Sequence, residues 1–489
     1  MKALRPTPGD LAVFAVLAGL AVLVGVGFWG YSYDDAFITY RYARNFAEHG
    51  ELVFNPGERV LGTTAPGYAL LLGALTFLTG ISVPGWGTLI SLASIGAVAL
   101  VLRLALADAP PGVRYGAPLL YGTAAFLFRW NVEMFGAESF PVLALGVGAA
   151  WLALGDEEGR RREVAAGLLI ALAMIFRLDA ALLAGILGLA LWWRRRRFPL
   201  AFALAGLVPV LLFLLYLHLT FGAVIPNTMA AKQSELPAAY SYTLEEWRWL
   251  GRSLTFVGRL SLLLAVLGAV LFGSLPLARR RGAAGAVALV LILWLAAHEL
   301  AYRVLAVPFA PWYHVPMING LLAAAALGGT AWSWDERRAG ARWGSFGMLL
   351  LLFPLLVQSA HYAVRQWGQA PDPRWSGYME AARRVRDGGG RSVAAVEIGF
   401  LGYESDARVL DLMGLVSPEA LTARRDGTLP ALVARERPDY LVDVSLFQPV
   451  LGPILDEPAV QASYQPVAEL PDGRGPGVRL RLLRKSLTP

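Results

Sequence analysis

The chain contains no cysteine. A disulfide framework, a thiolate metal site and a cysteine nucleophile are thereby excluded. Lysine is nearly absent as well, occurring only at Lys2, Lys232 and Lys485 in 489 residues, so the basic character rests on arginine. Charge as a whole is scarce: 16% of residues are Asp, Glu, Lys or Arg, against roughly 25% in an ordinary soluble domain. The sequence also shows no glycine fingerprint for a nucleotide, no low-complexity tract and no long internal repeat.

What fills the chain instead is apolar residues, 56% of the total. From Leu11 onward they come in runs bounded by charge, each close to the ~17–25 residues that cross a bilayer. A polytopic membrane protein is expected. The run Leu11 to Trp29 follows Lys2 and Arg5 and ends in Gly-Tyr-Ser-Tyr-Asp-Asp rather than a small-residue cleavage site, so it reads as a first spanning helix. The net charge of +7 is concentrated in short loops between the runs, where arginines orient helices. Membrane lipid is therefore an expected partner and nucleic acid is not.

Basic segments at 160–162, 194–197 and 279–281, with Arg337, Arg338 and Arg342, mark the cytoplasmic side by the positive-inside rule. The alternate loops then face outward: 31–65, 131–139, the tip 177–179, 225–252 and 299–314. Twelve apolar segments can be counted, yet the arginines leave everything after Val357 outside, which requires an odd number of crossings. Residues 68–78, short and closed by Gly80, Pro84 and Gly85, are read as interfacial or re-entrant, leaving about eleven spanning helices.

From Arg365 the composition becomes that of a soluble domain. Residues 392–396 and 440–442 read as short buried strands, 431–436 as a helix feeding the second, and 478–483 as a strand closing the sheet. The expected fold is an all-α polytopic membrane domain, residues 1–362, with a small extracytoplasmic α/β domain, residues 363–489.

The first outer loop concentrates polar chemistry. It reads Tyr31-Ser-Tyr-Asp34-Asp35-Ala-Phe-Ile-Thr-Tyr-Arg41-Tyr-Ala-Arg44-Asn45, then Gly50 and Phe54-Asn55-Pro56-Gly57-Glu58. Asp34 is placed to cap a helix that Gly50 ends. Two carboxylates followed by aromatics and arginines also suit a site at the membrane surface that holds a base and steers a phosphate.

This signature resembles the opening of the GT-C membrane glycosyltransferases, near the mycobacterial arabinofuranosyltransferase AftB. Looser matches follow at Phe135-Gly-Ala-Glu138-Ser, Arg177-Leu-Asp179, Ile225-Pro-Asn227-Thr-Met-Ala-Ala-Lys232, Pro311-Trp-Tyr313-His314, Glu397-Ile-Gly-Phe-Leu-Gly-Tyr403 and Asp411-Leu-Met-Gly-Leu. Gly136-Ala137-Glu138-Ser139 departs from the Gly-Met/Leu-Glu-Thr of such relatives. The resemblance implies an inverting transfer of a sugar, arabinofuranose in the nearest relatives, from a polyprenyl-phosphate donor to a cell-envelope glycan or other acceptor. The site then faces outward across a bacterial cytoplasmic membrane, with an aspartate of the first loop, Asp34 or Asp35, as base. A phosphate-linked sugar carries its own leaving group, so a base on the acceptor and cations on the phosphate suffice.

For the donor phosphate the outward candidates are Lys232, His314, Arg177, Tyr313 and Arg303. For substrate they are Arg41, Arg44, Asn45, Glu138 and Asp179. Each has a plainer reading: Tyr313 as an interfacial aromatic, Arg177 and Asp179 as a mutual pair, His298-Glu299 as a polar helix boundary. His49, His218 and His361 are given no role. Whether Asp34, Asp35 and Glu138 take a Ca²⁺ or Mg²⁺ ion is left open by the sequence. Alternatives are transfer of mannose to protein or lipid, a flippase for a lipid-linked sugar, and a non-catalytic membrane scaffold.

Overall fold

The computed structural model describes residues 6–155, 159–234, 283–305, 307, 310–331 and 353–486. The chain forms two compact units, each assembled from separate stretches of sequence. One consists of Met1–Trp29, Gly87–Phe213 and Ala238–Gln369, the other of Gly30–Trp86, Leu214–Pro237 and Ala370–Pro489.

The first unit is helical. Its opening helix, Pro8–Gly27, starts in a capping box: the Thr7 hydroxyl accepts from the Asp10 N–H, and the Asp10 carboxylate accepts from the Thr7 N–H at 2.9 Å. Asp10 also pairs with Arg103 on helix Val83–Ala105. Among the described residues four helices are long and apolar enough to cross a membrane: Pro8–Gly27, Val83–Ala105, Leu200–Phe221 and Val287–Val304. At 1.5 Å per residue they reach ~27–35 Å, close to or beyond a hydrocarbon core of about 30 Å. Helix Arg160–Phe176 breaks at Arg177, turns through the short 3-10 helix Leu178–Ala180 and continues as Ala181–Arg195. That bend is where the sequence suggests a hairpin tip. Deeper in the unit, Asn131 and Asn319 exchange side-chain amide bonds of 2.9 and 2.8 Å. The arginines at 279–281 and at 337, 338 and 342 lie outside the described residues.

The second unit carries a five-stranded sheet: β1 Ser392–Ala395, β2 Arg408–Asp411, β3 Tyr440–Val444, β4 Tyr464–Pro471 and β5 Arg479–Lys485, in the order β2-β1-β3-β5-β4. β1 lies parallel to β2 and β3, while β5 is antiparallel to β3 and β4. The parallel strands are short, mostly buried runs joined by helices, as a crossover demands. The strand expected at 478–483 is present as β5, but it lies between β3 and β4, and β4 takes the edge. β4 escapes a sequence reading because Pro466 and Pro471 interrupt it, and prolines survive in a strand mainly at an edge. β2 is too short to show a period.

Residues 30–86 belong to this second unit rather than to the helical one. The first-loop helix is Asp34–His49, ended as expected by Gly50 with φ 74°. Asp34 does not cap it: Tyr33 holds the cap position without a side-chain bond, and the Asp34 carboxylate points elsewhere. Helix Pro66–Thr79 has 14 residues, or ~21 Å, short of a straight crossing.

Candidate active site

The first-loop signature seats its helix on the α/β fold. Arg41, 1% exposed, donates to the Phe54 and Ala407 carbonyls at 2.7 Å each and to the Gly402 carbonyl, and lies over the Phe54 ring. Asn45 donates to the carbonyls of Val53 at 2.8 Å and Phe54 at 2.9 Å. Arg44 reaches the Tyr403 carbonyl at 2.5 Å and Asp406 at 2.6 Å. Asn55 pairs with both backbone groups of Val409 at 2.9 Å, gripping β2 as a neighbouring strand would. Phe37 packs edge-on against Trp375, Phe400 and Tyr403. Arg41, Arg44 and Asn45, the expected substrate ligands, thus have hydrogen bonds that hold the fold.

At the start of that helix two carboxylates diverge. Asp34, 2% exposed, accepts from the Phe400 N–H at 2.8 Å and the Gly399 N–H at 3.3 Å, so it caps helix Gly399–Ser405. Its own N–H donates to Asp372 at 3.2 Å. Burial pushes the Asp34 carboxyl up to about 7, with Glu397 and Asp35 adding to the shift and Arg374 opposing it. Asp35 is half-buried.

Around Asp34 stands a charge network the sequence reading missed. Arg374 clasps Asp372 through Nε at 3.0 Å and Nη2 at 2.7 Å, and donates to Glu397 at 2.6 Å. Arg474 clasps Asp472 in the same way, at 2.5 and 2.6 Å, and donates to Glu397 at 2.9 and 2.7 Å. Tyr378 adds its hydroxyl to Glu397. Burial works against the charge of Asp372, yet Arg374 and the Asp34 N–H hold its carboxyl below the usual range. The available signal was a repeated spacing, Asp372-Pro-Arg374 and Asp472-Gly-Arg474.

Asn227 and Thr228 dock rather than line a loop: Asn227 donates to the Gly414 carbonyl at 2.6 Å, and Thr228 to the Gly62 carbonyl. Lys232 follows on the same short helix, Asn227–Ser234; its side chain lies outside the described residues.

The helical unit has its own polar cluster. Arg177, 8% exposed, donates to Glu138 at 2.5 Å, to Asp179 at 2.6 Å and to the Tyr302 hydroxyl at 2.8 Å. The Tyr302 hydroxyl in turn donates to Asp179 at 2.6 Å. His298 stacks on Tyr302 with its Nε2 3.6 Å from Asp179. Buried His314 places Nδ1 3.3 Å from Glu299, which also pairs with Arg303 at 3.2 Å. Tyr313 packs on Tyr302 and lies under Arg177. Arg177, Tyr313 and His314 thus come together with Glu138 and Asp179. His298 and Glu299 are members of the cluster, more than the polar boundary that sequence suggests. Among the described residues no group of three or more His, Cys, Asp or Glu is arranged to hold a metal ion.

Residues 372–483 match a family described as a domain of unknown function, DUF8728. No curated protein matches the chain at a significant level. Among solved structures it is similar to ArnT from Cupriavidus metallidurans in the apo state, with TM-score 0.60, 14% identity and coverage of 97% of this chain and 98% of that one. The same protein bound to undecaprenyl phosphate gives TM-score 0.58 at 13% identity over 97% of both chains. The Archaeoglobus fulgidus oligosaccharyltransferase tethered with an acceptor peptide containing the NVT sequon gives TM-score 0.58 at 11% identity, over 94% of this chain and 72% of that one. These neighbours are GT-C glycosyltransferases, and at such identities what is shared is the fold.

Proposed function

We propose that the chain is an inverting membrane glycosyltransferase that takes a sugar from a polyprenyl phosphate. The observation that carries this reading is the unequal carboxylate pair: Asp34 is buried and bonded to two backbone N–H groups, while Asp35, on the next residue, is half-buried. The GT-C fold supports it, as does a neighbour solved with undecaprenyl phosphate bound.

In this reading Asp35 is the base and Asp34 its anchor. The acceptor hydroxyl oxygen attacks the anomeric carbon as the bond from that carbon to the phosphate oxygen breaks. The proton of the hydroxyl passes to Asp35, and polyprenyl phosphate departs with the bonding electrons. Lys232 is assigned to the phosphate in the second unit. In the helical unit Arg177, Glu138, Asp179 and Tyr313 form a polar cluster of their own, with Arg303 and His314 paired to Glu299. Arabinofuranose as the sugar, an envelope glycan as the acceptor and a bacterial cytoplasmic membrane follow from the first-loop resemblance; about eleven spans and an outward-facing site follow from the apolar runs and the placement of the arginines.

The test is transfer by the purified full chain from a panel of polyprenyl-phosphate sugars, with product read by mass spectrometry. Asp35→Asn is expected to fold and to lose ~10²–10⁴-fold in rate, the range for a missing general base. A folded Asp35→Asn enzyme that transfers at the wild-type rate ends this assignment.

A further inference from the structure

Two turns of the same design face each other across Glu397. In Asp372-Pro373-Arg374 and in Asp472-Gly473-Arg474 the arginine clasps the aspartate two residues before it and extends its remaining donors to Glu397. The turns also touch. Gly473 has φ 91°, and a Cβ there would lie 1.9 Å from the Pro373 carbonyl oxygen. Asp372 Oδ2, held by Arg374 at 2.7 Å, takes the Asp34 N–H at 3.2 Å. An unbroken chain of bonds therefore runs from Arg474 through Glu397, Arg374 and Asp372 to the backbone of the first-loop carboxylate pair.

We propose that these paired turns are the positioning device of that pair: Arg374 and Asp372, braced by Arg474 through Glu397, fix the start of the first-loop helix so that Asp35 meets the acceptor hydroxyl in one orientation. This rests on Asp35 as the base. Stability alone does not call for such a network, since taking ions out of water opposes their burial, and apolar side chains of the same volume hold a fold at least as well. What the ionic version adds is direction, because an arginine fork accepts a carboxylate in only a few orientations. The device bonds to the backbone N–H of Asp34, one residue before the base. A misplacement of the base by about 1 Å is enough to cost on the order of 10²-fold in rate.

The experiment uses the full chain in lipid nanodiscs. Asp372→Asn and Arg374→Lys keep shape or charge but break the fork; Arg474→Lys acts one step further out and serves if the first two do not fold. Tyr464→Phe, at the far edge of the sheet, is the control for simple destabilisation. Amide hydrogen exchange at residues 34–37 and 398–401 is read beside kcat and KM for polyprenyl-phosphate sugar. Expected are faster exchange at both segments and a kcat lower by roughly ten- to a hundredfold, with KM within about threefold of wild type. Tyr464→Phe is expected to melt lower with neither change. Unchanged exchange at 34–37 in folded Asp372→Asn or Arg374→Lys overturns the proposal, and so does accelerated exchange with an unchanged kcat. If the wild-type chain transfers no sugar from any donor tested, the glycosyltransfer reading fails, and the exchange data alone then decide whether the turns hold the pair.

Discussion

The Gly399 N–H points at the Asp34 carboxylate from 3.3 Å, and a Cβ on residue 399 would lie 1.8 Å from the Asp34 carbonyl oxygen. Only a glycine lets the start of helix Gly399–Ser405 approach the start of the first-loop helix so closely, and the approach is what buries Asp34.

Gly399→Ala is therefore expected to push the two segments apart, lower the melting temperature and abolish transfer. Gly50→Ala provides the scale: φ there is 74° with open space around it, so its cost is the ~1–2 kcal/mol of a left-handed residue alone. A Gly399→Ala protein that melts no lower than Gly50→Ala would show that the contact gives way easily.

The pH dependence of stability has a definite sign at Asp34. Its folded-state pKa, raised by burial to about 7 from 3.8, means the folded chain binds this proton more tightly than the unfolded one. The contribution is complete below the unfolded value and is lost as pH rises toward 7, a change on the order of a few kcal/mol. Asp411, pushed up to about 6 by burial, acts in the same direction. Melting at pH 5 and pH 8 is expected to show a smaller drop in Asp34→Asn than in wild type. A drop of equal size in both would place the responsible proton elsewhere.

Removing the cation from the helical cluster differs from removing its hydroxyl. Arg177→Met leaves Glu138 and Asp179 buried without their partner, a change of about 3–5 kcal/mol for a buried pair. Tyr302→Phe removes hydrogen bonds to Arg177 and Asp179, worth about 1–3 kcal/mol. Thermal melting is expected to rank Arg177→Met well below Tyr302→Phe. If Arg177→Met melts like wild type, the bonds drawn to Arg177 carry no stability.

The outward placement proposed for residues 363–489 is open to a fusion test. An alkaline phosphatase fused after Pro489 is expected to be active, and a fluorescent protein that matures only in the cytoplasm is expected to stay dark. The reverse pattern would require an even number of crossings.

The sequence by itself determined the elements whose signal is local. Apolar runs such as that of helix Pro8–Gly27 are legible because crossing a bilayer needs an uninterrupted stretch. The Gly50 end of the first-loop helix is legible because a left-handed residue favours glycine. β1 and β3 are legible because strands buried on both faces are written as unbroken apolar runs. Tertiary structure alone decided what the polar residues do. Asp34 and Asp35 are chemically identical neighbours, and only the packing of Gly399 and Phe400, 365 and 366 positions away, separates a bonded, buried carboxylate from a half-buried one. Arg41 and Arg44 look in sequence like substrate ligands, but the carbonyls that take their N–H groups come from residues brought close only by folding. Helix and strand follow from spacing along the chain. The role of a charge follows from what surrounds it in space, which no spacing records.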